Sequence, residues 1–335
     1  MAGGERRSET LARLPRLGFG GASVGNLYAP MSDAAARAVI DTALAAGIHY
    51  FDTAPHYGFG LGETRLGEAL TGHDVTISTK VGRRLEPIDT AERERHGFVD
   101  AAPFEPVFDY TRDGVMRAFE SSLRRLKRDR VDVLLAHDLG RETHGEAHAC
   151  RMRDFLEGGY PAMRELRDAR VVGAIGLGVN ERAVCEEVLD HTDVDVFLLA
   201  GRYTLLEQTA LDGFLPRCVA RGVGIIVGGP FNSGVLVETG GTPHYNYEAA
   251  PAPIVEQVAR LRQVCAAHGV PLAAAALQFP LAHPAVLSVI PGVATPDQVI
   301  DATRWLKMTI PDALWSDLRR EGLIRADAPA VGEAA

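Results

Sequence analysis

The sequence predicts an α/β chain folded as a single-domain, closed parallel (β/α)8 TIM barrel. Three observations point there: eight short apolar runs, amphipathic segments between most of them, and no complete G-x-G-x-x-G turn after the first run. The runs fall at 17–22, 48–52, 75–80, 131–136, 172–177, 195–199, 223–227 and 286–290. They are β-branched-rich or continuously apolar, as strands buried on both faces should be. Gly18-Phe19-Gly20-Gly21 and Gly173-Ala174-Ile175-Gly176 fail the dinucleotide-binding spacing. Tight turns and close packing are enough to account for them.

The helices follow from caps and stops. Ser32 is a plausible N-cap for a helix that stops at Gly47. Thr111 is placed to cap the segment ending in Arg124-Arg125-Leu126-Lys127-Arg128, whose late cations suit a helix C-terminus. Further helices are expected at 160–169, 181–191, 207–221, 252–268 and 296–307, with a shorter one at 62–70. The barrel core should run from about 15 to 308, and a C-terminal helix and tail occupy 309–335, frayed after Arg325. Two segments break the rhythm, 81–111 and 239–253. Long loops in compact domains are usually functional or disordered, and Phe98, Phe104, Phe108 and Tyr110 in the first are candidate pocket walls.

Composition narrows the function. The 335 residues are 46% hydrophobic and 24% charged, which is ordinary for a globular chain. A net charge of −9 repels phosphate backbones, so nucleic acid is not an expected partner. Cys150, Cys185, Cys218 and Cys265 stand alone without a CxxC pair and read as reduced thiols. The N-terminus lacks the apolar core of a signal peptide, and no apolar run reaches the roughly 18 residues of a membrane span. A cytoplasmic protein with no membrane partner is expected; oligomeric state is not legible.

In a parallel barrel, catalytic side chains come from the C-terminal ends of different strands. Asp52, Lys80 and His137 each stand at such an end, and Tyr57 follows Asp52 by five residues before a glycine-punctuated turn. Singly each has a dull explanation, as a turn former, a half-buried aromatic or a structural histidine. Jointly they offer a carboxylate, a phenol, an ammonium and an imidazole to one face. A phenol beside a lysine is how tyrosine becomes useful in acid–base chemistry near neutral pH.

On these residues the chain resembles the aldo-keto reductases. The resemblance is carried by Phe51-Asp52-Thr53-Ala54-Pro55-His56-Tyr57-Gly58, by Glu63 and Leu66-Gly67-Glu68-Ala69-Leu70, and by Thr79-Lys80. Val131-Asp132 with His137, and Ile290-Pro291-Gly292, extend it in order from about Leu17 to Leu306. It implies a nicotinamide cofactor lying across the strand C-termini, a tetrad of Asp52, Tyr57, Lys80 and His137, and no metal. Tyr57 would exchange the proton, Lys80 would lower the phenol's pKa from its ordinary value near 10, Asp52 would hold Lys80, and His137 would orient the substrate oxygen. Tyr28 and His56, with His137, are the expected substrate contacts. Asn180, Gly229, Phe231, Ser233, Val293, Gln298 and Asp301 are the expected cofactor contacts.

Departures from the family pattern bear on the cofactor. Only Asn180 remains of a Ser-Asn pair, Ala200 stands where many relatives carry Gln, and Gly228 replaces a stacking aromatic. Residues 291–301 carry no cation to pair with a 2′-phosphate, while Asp297 and Asp301 repel one or accept ribose hydroxyls. NAD is therefore expected, with NADP possible. The Gly176–Glu181 stretch and the 231–236 loop resemble the aldose dehydrogenase branch, which includes L-fucose (D-threo-aldose) dehydrogenases and to which pyridoxal 4-dehydrogenase is similar. That implies a small carbonyl or sugar substrate, an aldose hemiacetal oxidised to its lactone, with pyridoxal or general aldehyde and ketone reduction as alternatives. A nucleotide-sensing barrel without turnover is the non-enzymatic alternative. His144 and His148, at i and i+4, form a weak zinc motif, more simply a solvated face. The basic run Arg124–Arg130 is read as a dipole-complementing surface rather than an anion site.

Overall fold

A computed structural model describes residues 9–237, 244–245 and 248–330. Eight parallel strands form the barrel: β1 (Phe19–Gly20), β2 (Tyr50–Asp52), β3 (Thr76–Val81), β4 (Val131–His137), β5 (Val172–Val179), β6 (Val196–Ala200), β7 (Gly224–Gly228) and β8 (Val286–Ile290). Each pairs with the next in sequence, and bridges Leu17–Val289 and Gly20–Gly292 bring β8 back to β1. All eight expected runs are strands of this barrel.

Two apolar layers hold it. Inside, Tyr50, Val133, Leu135, Ala174, Val196, Leu198, Ile226 and Ile290 fill the barrel, with Leu14 packed onto them. Outside, the alternate strand residues meet the helices in a larger continuous core. Close strand packing fixes Gly176, where an added Cβ would lie 1.6 Å from the Val196 carbonyl oxygen. That is the tight packing expected of the glycine-rich stretch at 173–176.

Among the helices are α1 (Asp33–Ala45), α2 (Leu61–Ala69), α3 (Arg112–Leu126), α4 (Tyr160–Asp168), α5 (Arg182–His191), α6 (Phe214–Arg221), α7 (Ala252–Ala267), α8 (Leu272–Gln278), α9 (Pro296–Lys307) and α10 (Asp312–Arg320). Ser32 Oγ accepts from the Ala35 amide and Thr111 Oγ1 from the Gly114 amide, each at 3.2 Å, so both expected caps are in place. Among the described residues no single helix is long and apolar enough to cross a membrane.

Three expectations change, and one helix was not expected. The helix expected over 207–221 begins only at Phe214, because Gly213 sits at φ 97° and breaks the chain's helical course after a short turn at Thr209–Leu211. Helix α8 has no amphipathic stripe to betray it: all seven residues are buried. Segment 81–111 is not a structureless loop but two antiparallel hairpins, Arg83–Pro87 with Phe104–Phe108 and Glu94–Arg95 with Phe98–Val99. The tail is packed as far as it is described: Arg325 pairs with Asp212 and Asp327, and Ala328 and Ala330 are buried. Much of the 239–253 segment, at 239–243 and 246–247, lies outside the described residues, as do 1–8 and 331–335.

Candidate active site

The site begins with strand register. Gly20, Asp52, Ser78 and Val133 stand side by side across β1 to β4. Side chains two apart on a strand share a face, so Ser78 and Lys80 point the same way, into the barrel beside Asp52. Lys80 is fully buried, and its ammonium has three donors to place. They go to Asp52 Oδ2 at 2.7 Å, the Thr53 carbonyl at 2.8 Å and Tyr57 Oη at 3.2 Å. The other Asp52 oxygen accepts from Ser78 Oγ at 2.6 Å, and Tyr50 Oη lies 3.0 Å from that hydroxyl.

Burial alone would pull the Lys80 ammonium down, but the Asp52 carboxylate and the hydrogen bonds to Asp52 and Tyr57 outweigh it and raise its pKa. The lysine is therefore a fixed cation aimed at the phenol. An ammonium at hydrogen-bond distance favours phenolate over phenol.

His137 stands edge-on to Tyr57, ring centroids 6.0 Å apart at 84°. Its backbone carbonyl accepts a 2.6 Å bond from Tyr110 Oη, and Tyr110 is fully buried. Burial first, then the positive charges of Arg83 and Lys80, hold the imidazole well below its usual pKa. The 3.4 Å approach of His137 Nε2 to Asp138 is thus made by a neutral ring, and Asp138 takes Arg83 as its ionic partner. His56 is likewise pushed down, to about 2, by burial and then by Arg83, His96 and Lys80.

In the unfolded chain these imidazoles take up protons below about pH 6.5 that the folded chain refuses. Their stabilising contribution is complete above that pH and declines as pH falls, by about 1.4 kcal/mol per unit per histidine. For His56 the loss between pH 6.5 and 5 is about 2 kcal/mol. Urea unfolding of wild type and His56→Phe at pH 7 and pH 5 checks this; equal acid sensitivity of the two contradicts it.

A cleft of about 820 Å³ opens over the strand ends beside Tyr57. Along it lie Gly20 to Ser23, Asn180, Ala200 to Arg202, the loop from Gly228 to Gly234, and finally Val293, Gln298 and Trp305. Asn232 in that loop donates to the Gly201 carbonyl at 3.2 Å, while its Oδ1 is closed off from water and accepts from no described residue. A long cleft with an unsatisfied amide oxygen on its wall fits an extended dinucleotide rich in hydroxyl and amide donors.

Of the residues expected at a cofactor, Asn180, Gly229, Phe231, Ser233, Val293 and Gln298 line this cleft, and so do Tyr28 and Tyr57. Asp301 does not line it; its carboxylate pairs with Arg304 at 2.8 Å. Gln298 Oε1 accepts from the Ala294 amide at 2.6 Å, and Thr295 caps α9. Among the four aromatics of 81–111, Phe98 packs on His56, Tyr57 and Phe59, and Phe108 lies under the Arg83 guanidinium. Tyr110 sits behind His137, and Phe104 offers its carbonyl to Arg95.

The weak motifs resolve into separate partners. His144 Nε2 lies 3.0 Å from Tyr110 Oη, whereas His148 meets the Leu139 carbonyl and Glu187. In the basic run, Arg125 turns inward to the buried Glu63 at 2.6 Å. Sequence reading missed Ser78, the Thr53 carbonyl, Asn232, Trp305 and the Arg83–Asp138 pair. Ser78 had a signal, since it stands two residues before Lys80 and so shares its face of the strand.

A (β/α)8 barrel with a buried Lys–Asp pair aimed at a tyrosine, a neutral histidine opposite and a long cleft above defines the class of nicotinamide-linked carbonyl and alcohol oxidoreductases. The sequence profile of the Aldo/keto reductase family matches residues 16–320. The chain belongs to that family and is an NAD(P)-dependent oxidoreductase. It is 42% identical to pyridoxal 4-dehydrogenase from Microbacterium luteolum, over 92% of this chain and 94% of that protein. It is 37% identical to D-threo-aldose 1-dehydrogenase from a Pseudomonas species, over 93% and 95% of the two. Among solved structures, the holo form of an aldo-keto reductase from Bacillus halodurans superposes with a TM-score of 0.71 at 25% identity, each chain covered to 94%.

Proposed function

We propose that the protein oxidises an aldose hemiacetal of the L-fucose or D-threo-aldose type to its lactone, with NAD as the preferred cofactor. The observation that carries the reaction is the Lys80 ammonium, whose three donors are divided between Asp52, Thr53 and Tyr57. It supports Tyr57 as the group that takes the proton of the anomeric hydroxyl. His137, neutral and edge-on to Tyr57, donates to or accepts from the same oxygen and sets its angle. Asp52 and Ser78 act through Lys80 by fixing its position. A bound nicotinamide would supply the acceptor for the hydride of the anomeric carbon. The groups that would hold the cofactor are Asn180, Asn232, Ser233, Val293 and Gln298, with Phe231 and Trp305 as apolar walls.

The preference for NAD is supported by the absence of cations in 291–301 and by Arg304, the next basic side chain, being engaged by Asp301. Pyridoxal is the second reading, and the higher identity to pyridoxal 4-dehydrogenase favours it. Closed on itself, pyridoxal presents the same hemiacetal hydroxyl to Tyr57 and His137. Initial rates with L-fucose, D-arabinose, L-galactose and pyridoxal, each with NAD and NADP, separate the two. An aldose oxidised fastest, with NAD, is the expected result; pyridoxal fastest selects the second reading.

A further inference from the structure

We infer that Tyr50 and Ser78 are positioning residues for the reaction: their two hydroxyls form a one-way hydrogen-bonded chain into Asp52 that keeps the Lys80–Asp52 pair ionic. The inference deepens the function proposed above and rests on it for Tyr57 as the proton acceptor.

Two strands build the chain. Tyr50 and Asp52 stand two apart on β2, Ser78 and Lys80 stand two apart on β3, and Asp52 is in register with Ser78. The four side chains therefore share the inner face of the barrel and alternate between the strands. Tyr50 Oη lies 3.0 Å from Ser78 Oγ, Ser78 Oγ 2.6 Å from Asp52 Oδ1, and Asp52 Oδ2 2.7 Å from Lys80 Nζ. Glycines make the room. A Cβ on Gly18 would come within 2.4 Å of the Tyr50 ring, and one on Gly178 within 3.1 Å of the Lys80 stem.

Counting protons fixes the direction. An ionised carboxylate only accepts, so the single Ser78 proton goes to Asp52. Ser78 then accepts from Tyr50, which keeps its own proton because burial, and after it the Asp52 charge, hold that phenol well above its usual value. Tyr50 is fully buried in the apolar layer of Val133, Leu135 and Ile290. A phenylalanine would fill that place with no oxygen to desolvate.

Asp52 needs these donors. Burial raises its pKa, while Lys80 and the Ser78 hydrogen bond oppose the rise. A buried ion pair holds only when its remaining lone pairs are satisfied. Loss of the Ser78 donor favours moving one proton from Lys80 Nζ to Asp52 Oδ2, which leaves an amine and a carboxylic acid. A neutral amine does not stabilise a phenolate, so Tyr57 keeps its proton. The other groups facing the set do not substitute for the chain. Asp132 lies beyond Tyr50 and accepts from the Ile77 amide, His137 is neutral, and Arg83 is paired with Asp138.

The test is the titration of Tyr57 in wild type, Ser78→Ala, Tyr50→Phe and the double variant. Ultraviolet difference spectra against the same protein carrying Tyr57→Phe isolate its phenolate from the other tyrosines. Ser78→Ala is expected to raise the Tyr57 midpoint by about one unit, the worth of a hydrogen bond to a charged group. Tyr50→Phe, which removes one oxygen and leaves the ring packing, raises it by less. Adding Tyr50→Phe to Ser78→Ala changes nothing further, because the chain is already cut. The kcat for the fastest aldose follows the same midpoints. Ser78→Ala is about tenfold slower than wild type below the wild-type midpoint and equal to it above both.

Unmoved midpoints, shifts that add in the double variant, or a kcat loss of the same size at every pH overturns the inference. Should Tyr57→Phe keep its activity, or no aldose turn over, the proposed function fails instead, and the difference titration still decides what the two hydroxyls do.

Discussion

Tyr57→Phe is expected to lower kcat/KM for hemiacetal oxidation by about 10³-fold, within the range by which a positioned acid–base group contributes. The change removes one oxygen atom. That oxygen accepts from Lys80, which keeps Asp52 and the Thr53 carbonyl. The buried ion pair therefore survives, and so does the cleft above it. NAD(H) affinity, read by fluorescence titration, should remain close to that of wild type. A variant that binds cofactor normally and retains a tenth or more of its activity would show that the proton goes elsewhere.

Lys80→Met is expected to cost both activity and stability. Asp52 and Lys80 are 2–3% exposed at the side chain and 2.7 Å apart. Removing the cation strands a carboxylate in the barrel, and breaking a buried pair from one side costs about 3–5 kcal/mol. Adding Asp52→Leu removes the stranded charge. The double variant should regain most of the stability, because replacing both members of a buried pair by apolar groups is often neutral. It should regain none of the activity, since Tyr57 still lacks its ammonium. Denaturant midpoints and initial rates on wild type and the two variants separate the two effects. Activity returning together with stability would mean that Lys80 serves only the fold.

How much of this was legible beforehand follows from what depends on local pattern. The eight barrel strands were readable because continuous apolar runs between amphipathic segments leave few other architectures. Asp52, Lys80 and His137 were readable because each closes such a run, and a parallel barrel gathers strand ends on one face. Tyr57 came with them through the turn at Gly58, where φ is 63° and an added Cβ would meet the Gly25 carbonyl.

What was not legible depends on tertiary pairing. The hairpin Arg83–Pro87 with Phe104–Phe108 carries Pro87 and Pro106, residues that argue against a strand. It tolerates them because a two-stranded ribbon is all edge. Helix α8 is buried on every side, so its sequence shows no helical period. Asn232 and the Thr53 carbonyl matter only because distant strands bring them to the cleft. The pair between Arg83 and Asp138 joins the first hairpin strand to the residue after β4, 55 residues away in the chain.

The most direct measurement of the central claim is product analysis under oxidising conditions. Purified protein is given NAD and the aldose it oxidises fastest, NADH is followed by absorbance, and the sugar product is identified by NMR. The account predicts one lactone formed per NADH, at a rate abolished in Tyr57→Phe. Strong NADPH-dependent reduction of simple aldehydes, with negligible NAD-linked oxidation of any hemiacetal, would contradict it.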